Sequence, residues 1–155
     1  MMKYLTKGEE GFTLIELMVV VLIIAILLAI AIPTFLGMRV RAQDRAAQSN
    51  LRNALTAEKA FYTDNEVYTD SPTELEAIEP ALTYAAASTT TPSVVGLNVV
   101  ASTNSQVVQM QTESASGAGF CIRDDVRSGT GGTFYGTNAG GNFAADGSGC
   151  VDTSW

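Results

Sequence analysis

The chemistry open to this 155-residue chain is narrowed first by what it lacks: it has no histidine. A Ser-His or Cys-His nucleophile system is therefore excluded. Cys121 and Cys150 are the only cysteines, and their spacing is not a compact metal-ligand motif. Asp124, Asp125, Asp146 and Asp152 lie in or beside the segment between them. Calcium needs several oxygens at set spacing, and no such pattern is present, so these four are expected to be solvated loop charges. Asp124 and Asp125 are adjacent, not brought from separate elements as an acid/base pair requires. Gly129 to Gly132 is not followed by the Lys-Ser/Thr of a phosphate-cradling loop. No catalytic residue, metal or cofactor is expected.

One carboxylate stands apart. Residues 11 to 33 read GFTLIELMVVVLIIAILLAIAIP, and Glu16 heads an uncharged run of 22 positions from Leu17 to Met38. At about 1.5 Å per helical residue that run spans a hydrocarbon core of about 30 Å. An unpaired carboxylate inside such a span is costly, by roughly 2.5 kcal/mol or more near the bilayer centre. Glu16 follows Phe12 by four positions, which puts both on one helix face. It also lies near the helix N-terminus, where negative charge is favoured.

The element that must carry these residues is one long helix, expected from Phe12 to about Tyr62. Fifty-one residues would reach about 75 Å. Pro33 lacks an N–H and crowds the preceding turn, and Gly37 adds softness, so this is where the helix would kink or melt. After Met38 the all-round apolar pattern becomes one-sided. Val40, Ala47, Leu51, Ala54, Leu55, Phe61 and Tyr62 recur at helical spacing, while Arg41, Arg45, Gln48, Arg52, Thr56 and Lys59 fill the other face. The apolar stripe would dock on a sheet; the charged face is open to acidic surfaces of neighbouring copies.

Thr63-Asp64-Asn65 is expected to end that helix. Ser71-Pro72-Thr73-Glu74 has the form of a capping box with proline at the first helical position, and so predicts a short second helix bounded by Pro80. Residues 85–93, AAASTTTPS, read as an exposed loop with hydroxyls open to glycosylation. Four strands are expected, over 94–100, 106–111, 119–123 and, less regular, 132–136, with a turn at Ser102 to Ser105. Short local connections imply an antiparallel sheet of three to four strands. The fold class is α+β. Phe134, Tyr135 and Phe143 would form a binding face or fill the core, and Trp155 would seal the head or meet a neighbour.

Formal net charge is −7. Lys3, Lys7, Glu9 and Glu10 cancel, so residues 12–155 keep −7. That balance resists non-specific nucleic-acid binding. Basic residues flank the apolar run on both sides, with Lys3 and Lys7 before it and Arg39, Arg41 and Arg45 after it. Counting Lys and Arg therefore does not settle its orientation.

Gly11-Phe12-Thr13-Leu14-Ile15-Glu16-Leu17, followed by an apolar run ending at Pro33, resembles the N-terminus of type IV prepilins and related pseudopilins. The likeness covers residues 1 to about 35, with weaker likeness in the amphipathic continuation and the late cysteine pair. It implies a type IV pilin-like fold in three parts: a cleaved leader 1–11, a transmembrane and filament-core helix 12–38, and an extracytoplasmic head 39–155. A prepilin peptidase would cut between Gly11 and Phe12, leaving 144 residues, and Phe12 would be N-methylated. Glu16 would pair with the Phe12 amine of a neighbour and fix register, the best-attested use of a buried ion pair. The expected partners are further copies of the chain in a filament, the membrane before assembly, and the assembly machinery, with no direct nucleic acid. The N-terminus would stay inside and the head would be exported. Export makes a Cys121–Cys150 disulfide the default. The acidic pair Glu9-Glu10 departs from the basic leader usual in the family. Two rival readings remain: a secretion pseudopilin of the same fold, and a singly anchored binding domain that forms no polymer.

Overall fold

The computed structural model describes residues 11–87, 89, 91–99, 104–129, 131–139, 143 and 149–155. Leader residues 1–10, Ser88 and Thr90 of the Ser/Thr loop, Val100, Ser102 and Asp146 lie outside the described residues. Backbone contacts divide the chain into Met1–Arg39 and Val40–Trp155.

Helix α1, Leu14–Asn65, has 52 residues and runs without interruption through Pro33 and Gly37. Pro33 cannot donate to the turn before it. Next to it, the Thr34 hydroxyl donates to the carbonyls of Ala31 at 2.8 Å and Ile30 at 3.3 Å. The expected stop at Thr63-Asp64-Asn65 is corrected: these residues form the last turn. Their side chains bond back to it, Thr63 Oγ1 to the Lys59 carbonyl at 2.8 Å and Asn65 Nδ2 to that of Phe61 at 3.0 Å. The helix ends at Glu66, which takes a left-handed φ of 59° and donates its N–H to the Tyr62 carbonyl at 2.8 Å.

Helix α2, Pro72–Ile78, follows with Ser71 as N-cap and proline in its first turn. The expected capping box does not form, since the Ser71 side chain makes no cap hydrogen bond. Thr69 intervenes: its hydroxyl donates to Glu74 and accepts the Ser71 N–H at 3.0 Å.

Among the described residues the sheet has five strands, one more than the upper expectation: β1 Thr83–Ala85, β2 Val94–Val99, β3 Val107–Glu113, β4 Ala118–Asp125 and β5 Gly132–Ala139. Spatial order follows chain order. β2 to β5 pair antiparallel, while β1 pairs parallel to β2. The sheet is therefore mixed, and Ala85, expected in a loop, belongs to β1. Three residues of Thr-Tyr-Ala give too short a pattern to read as a strand.

Period-two alternation separates two buried faces. On one, Leu97, Met110, Ile122 and Tyr135 stand in register across β2 to β5. They share a core with Ala47, Leu51, Ala54 and Leu55 of α1, so the stripe docks where the sequence placed it. Val40, expected to begin that stripe, is 46% exposed. On the other face, Cys121, Phe143 and Cys150 form a second, smaller core. Here the chain crosses β5 so closely that a Cβ on Gly136 would lie 2.1 Å from the Gly149 carbonyl oxygen and 2.9 Å from Cys121 Sγ. Only glycine fits there.

Candidate assembly site: the capped start and bare apolar face of the long helix

Thr13 precedes the first helical residue and Glu16 lies three positions on. Their contacts are reciprocal. The Thr13 N–H and hydroxyl donate to Glu16 Oε2 at 2.8 and 2.7 Å, and the Glu16 N–H donates to Thr13 Oγ1 at 3.3 Å. This is a capping box, with two orphan amides of the first turn satisfied by side chains. Glu16 is thereby held toward the helix start, and both Thr13 bonds land on the same carboxylate oxygen. Among the described residues Glu16 bonds Thr13, not Phe12. Thr13 was missed from the sequence, although Thr-x-x-Glu before an apolar run was a legible sign.

Beyond the cap, every large apolar side chain from Phe12 to Val40 is at least 46% exposed, and Phe12 is 91% exposed. The stretch is long and apolar enough to cross a membrane, and none of it is buried by the rest of the chain. A single water-soluble molecule has no means of covering a surface of that size.

The head places the remaining residues singled out above. Cys121 and Cys150 are joined, with Cα atoms 6.0 Å apart. Asp124 and Asp125 are not solvated loop charges: both are 3% exposed and sit on opposite faces of β4. Asp124 accepts from Tyr68 OH at 2.5 Å and Thr133 Oγ1 at 2.6 Å, with Lys59 Nζ at 3.2 Å. Asp125 takes Arg127 Nε at 2.9 Å, Nη2 at 2.6 Å and its backbone N–H at 3.0 Å. The Arg127 hydrogen bonds hold its carboxyl below the usual range against the opposing effect of burial. Among the described residues no group of three or more His, Cys, Asp or Glu could hold a metal ion. Asp152 instead forms a backbone bridge to Tyr135, with hydrogen bonds of 2.8 and 2.9 Å. That bridge brings Trp155 over the head: its indole contacts Phe120 and Tyr135 edge-on, and Arg52 stacks on it at 4.8 Å. Tyr135 and Phe143 are thus core or core-edge residues.

Glu58 was also missed. It is fully buried on α1, with Oε2 accepting the Thr69 N–H at 3.3 Å and no hydrogen-bond partner for Oε1 among the described residues. Burial is the main cause that raises its pKa to about 8, with Asp70 and Glu74 adding to it against the Thr69 hydrogen bond. Its place at i+4 from Ala54 and i+7 from Leu51 marked a core position. Only its residue type argued otherwise.

Residues 6–32 match the family described as the prokaryotic N-terminal methylation motif. The chain carries that motif at its N-terminus. It is 48% identical over 67 residues to the type IV major pilin protein PilA of Myxococcus xanthus, covering 43% of this chain and 30% of that protein. It is 41% identical over 69 residues to the type IV wide pilus major component PilA4 of Thermus thermophilus, covering 44% and 53%. Type II secretion system core protein G of Vibrio cholerae is 36% identical over 72 residues, covering 46% and 49%. The chain thus spans about half or less of the length of the curated relatives it matches.

Proposed function

We propose that this chain, cut between Gly11 and Phe12 and N-methylated on Phe12, polymerises into a type IV pilus on the cell surface. The observation that carries the reading is the unpartnered apolar face of α1 behind a capped carboxylate. In the membrane, lipid covers residues 12–38. During assembly, helices of other copies replace the lipid, so the transfer keeps apolar surface out of water. Cutting gives Phe12 a free amine four positions from Glu16. Thr13 already turns the carboxylate toward that end and leaves Glu16 Oε1 open to a neighbour's amine. Such a pair inside an apolar bundle discriminates register strongly, because losing one partner of a buried pair costs about 3–5 kcal/mol. Pro33 and Gly37 are where the helix bends or loosens as copies pack. Cys121–Cys150 ties down a glycine-rich segment of the exported head. The filament works mechanically, in adhesion, motility or DNA uptake, and a prepilin peptidase and the pilus assembly machinery act on the chain.

The test is to shear fibres from the cell surface and sequence the N-terminus of their main protein. Methylated Phe12 as first residue is the expected result. An uncut N-terminus at Met1 or Met2 would refute the reading. The similarity to type II secretion core protein G favours one alternative, a pseudopilin. It predicts Phe12-started material in the envelope with none in the sheared fibres.

A further inference from the structure

Charge on the head is separated along α1. Arg41, Arg45, Arg52 and Lys59 are spaced by 4, 7 and 7 positions. At 3.6 residues per turn they fall within about 40° of one line. The upper two are engaged within the head: Arg52 stacks on Trp155, and Lys59 pairs with Asp124. Arg41 and Arg45 are exposed and make no ion pair with a described residue.

The opposite end of the head has the reverse character. Asp64, Glu66, Asp70, Glu74, Glu76 and Glu79 follow one another with no Lys or Arg between Lys59 and Arg123. The first five are exposed, and none of the six pairs with a basic side chain among the described residues. Arg41 and Asp64 are 23 positions apart on one continuous helix, a distance of about 35 Å. Screening length at physiological salt is about 8 Å. The two ends of one molecule therefore cannot neutralise each other.

We infer that the Arg41–Arg45 end of one copy docks against the Asp64–Glu79 end of another copy in the same filament. The inference rests on the polymer reading, which requires copies with parallel helices advanced along a common axis. In such a stack each basic end climbs past the acidic ends of copies further along. An advance of about 35 Å brings opposite charges together and moves the two acidic ends of a net-negative chain apart. The occupant is a second copy because only it repeats this spacing on the same axis.

The experiment compares sheared fibre with membrane-held monomer in cells making four full-length chains. These are wild type, Arg41→Glu/Arg45→Glu, Asp64→Lys/Asp70→Lys, and all four changes together. Each two-site reversal is expected to cut sheared fibre about tenfold at unchanged monomer, and the four-site chain to regain at least half. A reversal that polymerises as wild type, or a four-site chain as poor as its parents, would overturn the docking. A milder Arg41→Gln/Arg45→Gln chain guards against misfolding: its fibres are expected to dissociate at lower salt than wild type. Unchanged salt tolerance would also overturn the inference. Wild-type chain missing from the fibres altogether would instead sink the polymer reading itself.

Discussion

The Tyr68 hydroxyl donates to Asp124 Oδ2 at 2.5 Å across 56 positions of sequence. It joins the segment after α1 to the fourth strand. The same carboxyl group receives Thr133 from β5 and Lys59 from α1, so one buried side chain holds four parts of the head together. Asp124→Ala leaves Tyr68 OH and Thr133 Oγ1 without their acceptor. A loss of about 2–3 kcal/mol is expected, lowering the melting temperature of detergent-held protein by about 10 °C. Tyr68→Phe removes one donor and should cost about 1 kcal/mol. Equal losses in the two variants would show that Asp124 acts only through Tyr68.

Glu58 links stability to pH in the opposite sense from Asp125. Its folded pKa, about 8, lies above its ordinary 4.5, chiefly through burial, with Asp70 and Glu74 adding to the rise. Tyr68 and Tyr84 also face it; burial is the main cause that raises both phenols, and the Glu58 charge adds to it. The neutral acid is the form the fold accepts, so its contribution is complete below pH 4.5 and is lost as pH climbs toward 8. Asp125 is held low by Arg127, so its contribution is lost only on acidification below its ordinary value of 3.8. Chemical denaturation at pH 5 and pH 8 should show weaker folding at pH 8. Glu58→Gln should flatten that slope. A slope unchanged by the substitution would mean that Glu58 is not the titrating group.

Thr13 and Glu16 separate capping from assembly. Thr13→Ala removes the hydroxyl from the cap, a loss of about 1 kcal/mol, yet leaves the backbone N–H that also holds Glu16. Fibre yield should fall modestly, and Thr13→Ser should restore it. Glu16→Ala should abolish fibres while monomer stays in the membrane. Wild-type fibre yield from Glu16→Ala would disprove the pairing of Glu16 with Phe12.

The link between Cys121 and Cys150 closes a 29-residue separation, worth about 3–4 kcal/mol on loop-entropy grounds. A Cys121→Ser/Cys150→Ser chain should melt correspondingly lower. Trp155 is the single tryptophan. Its indole donates to the carbonyls of Cys121 at 3.1 Å and Gly136 at 3.2 Å, so its fluorescence reports directly on the tail. The double variant should show a red-shifted emission before global unfolding. Emission that shifts only with global unfolding would show that the tail is held without the disulfide.

Local pattern was enough for most of what depends on neighbours in sequence. The apolar run from Leu17 to Met38, the stripe Ala47-Leu51-Ala54-Leu55 and the alternation of β2 to β4 are all set by which side chains avoid water at one fixed period. The Gly11-to-Leu17 motif was equally plain. What failed locally was a competition between two local rules: Thr63 and Asn65 extend α1 by bonding back to it, when their residue types suggested a stop. What was not legible at all depends on contacts made across the fold. Adjacent aspartates look alike in sequence, but a strand turns Asp124 toward Tyr68 and Asp125 toward Arg127. Glu58 looks like a solvent-facing charge until the segment at Thr69 closes over it. Trp155 finds its place only when Asp152 pairs with Tyr135. By itself the sequence determined that this chain has a membrane-length helix with an N-terminal methylation motif at its start and a small α+β head. Tertiary structure alone decided which charges are buried and which stay free, because burial depends on what distant segments bring to the same place.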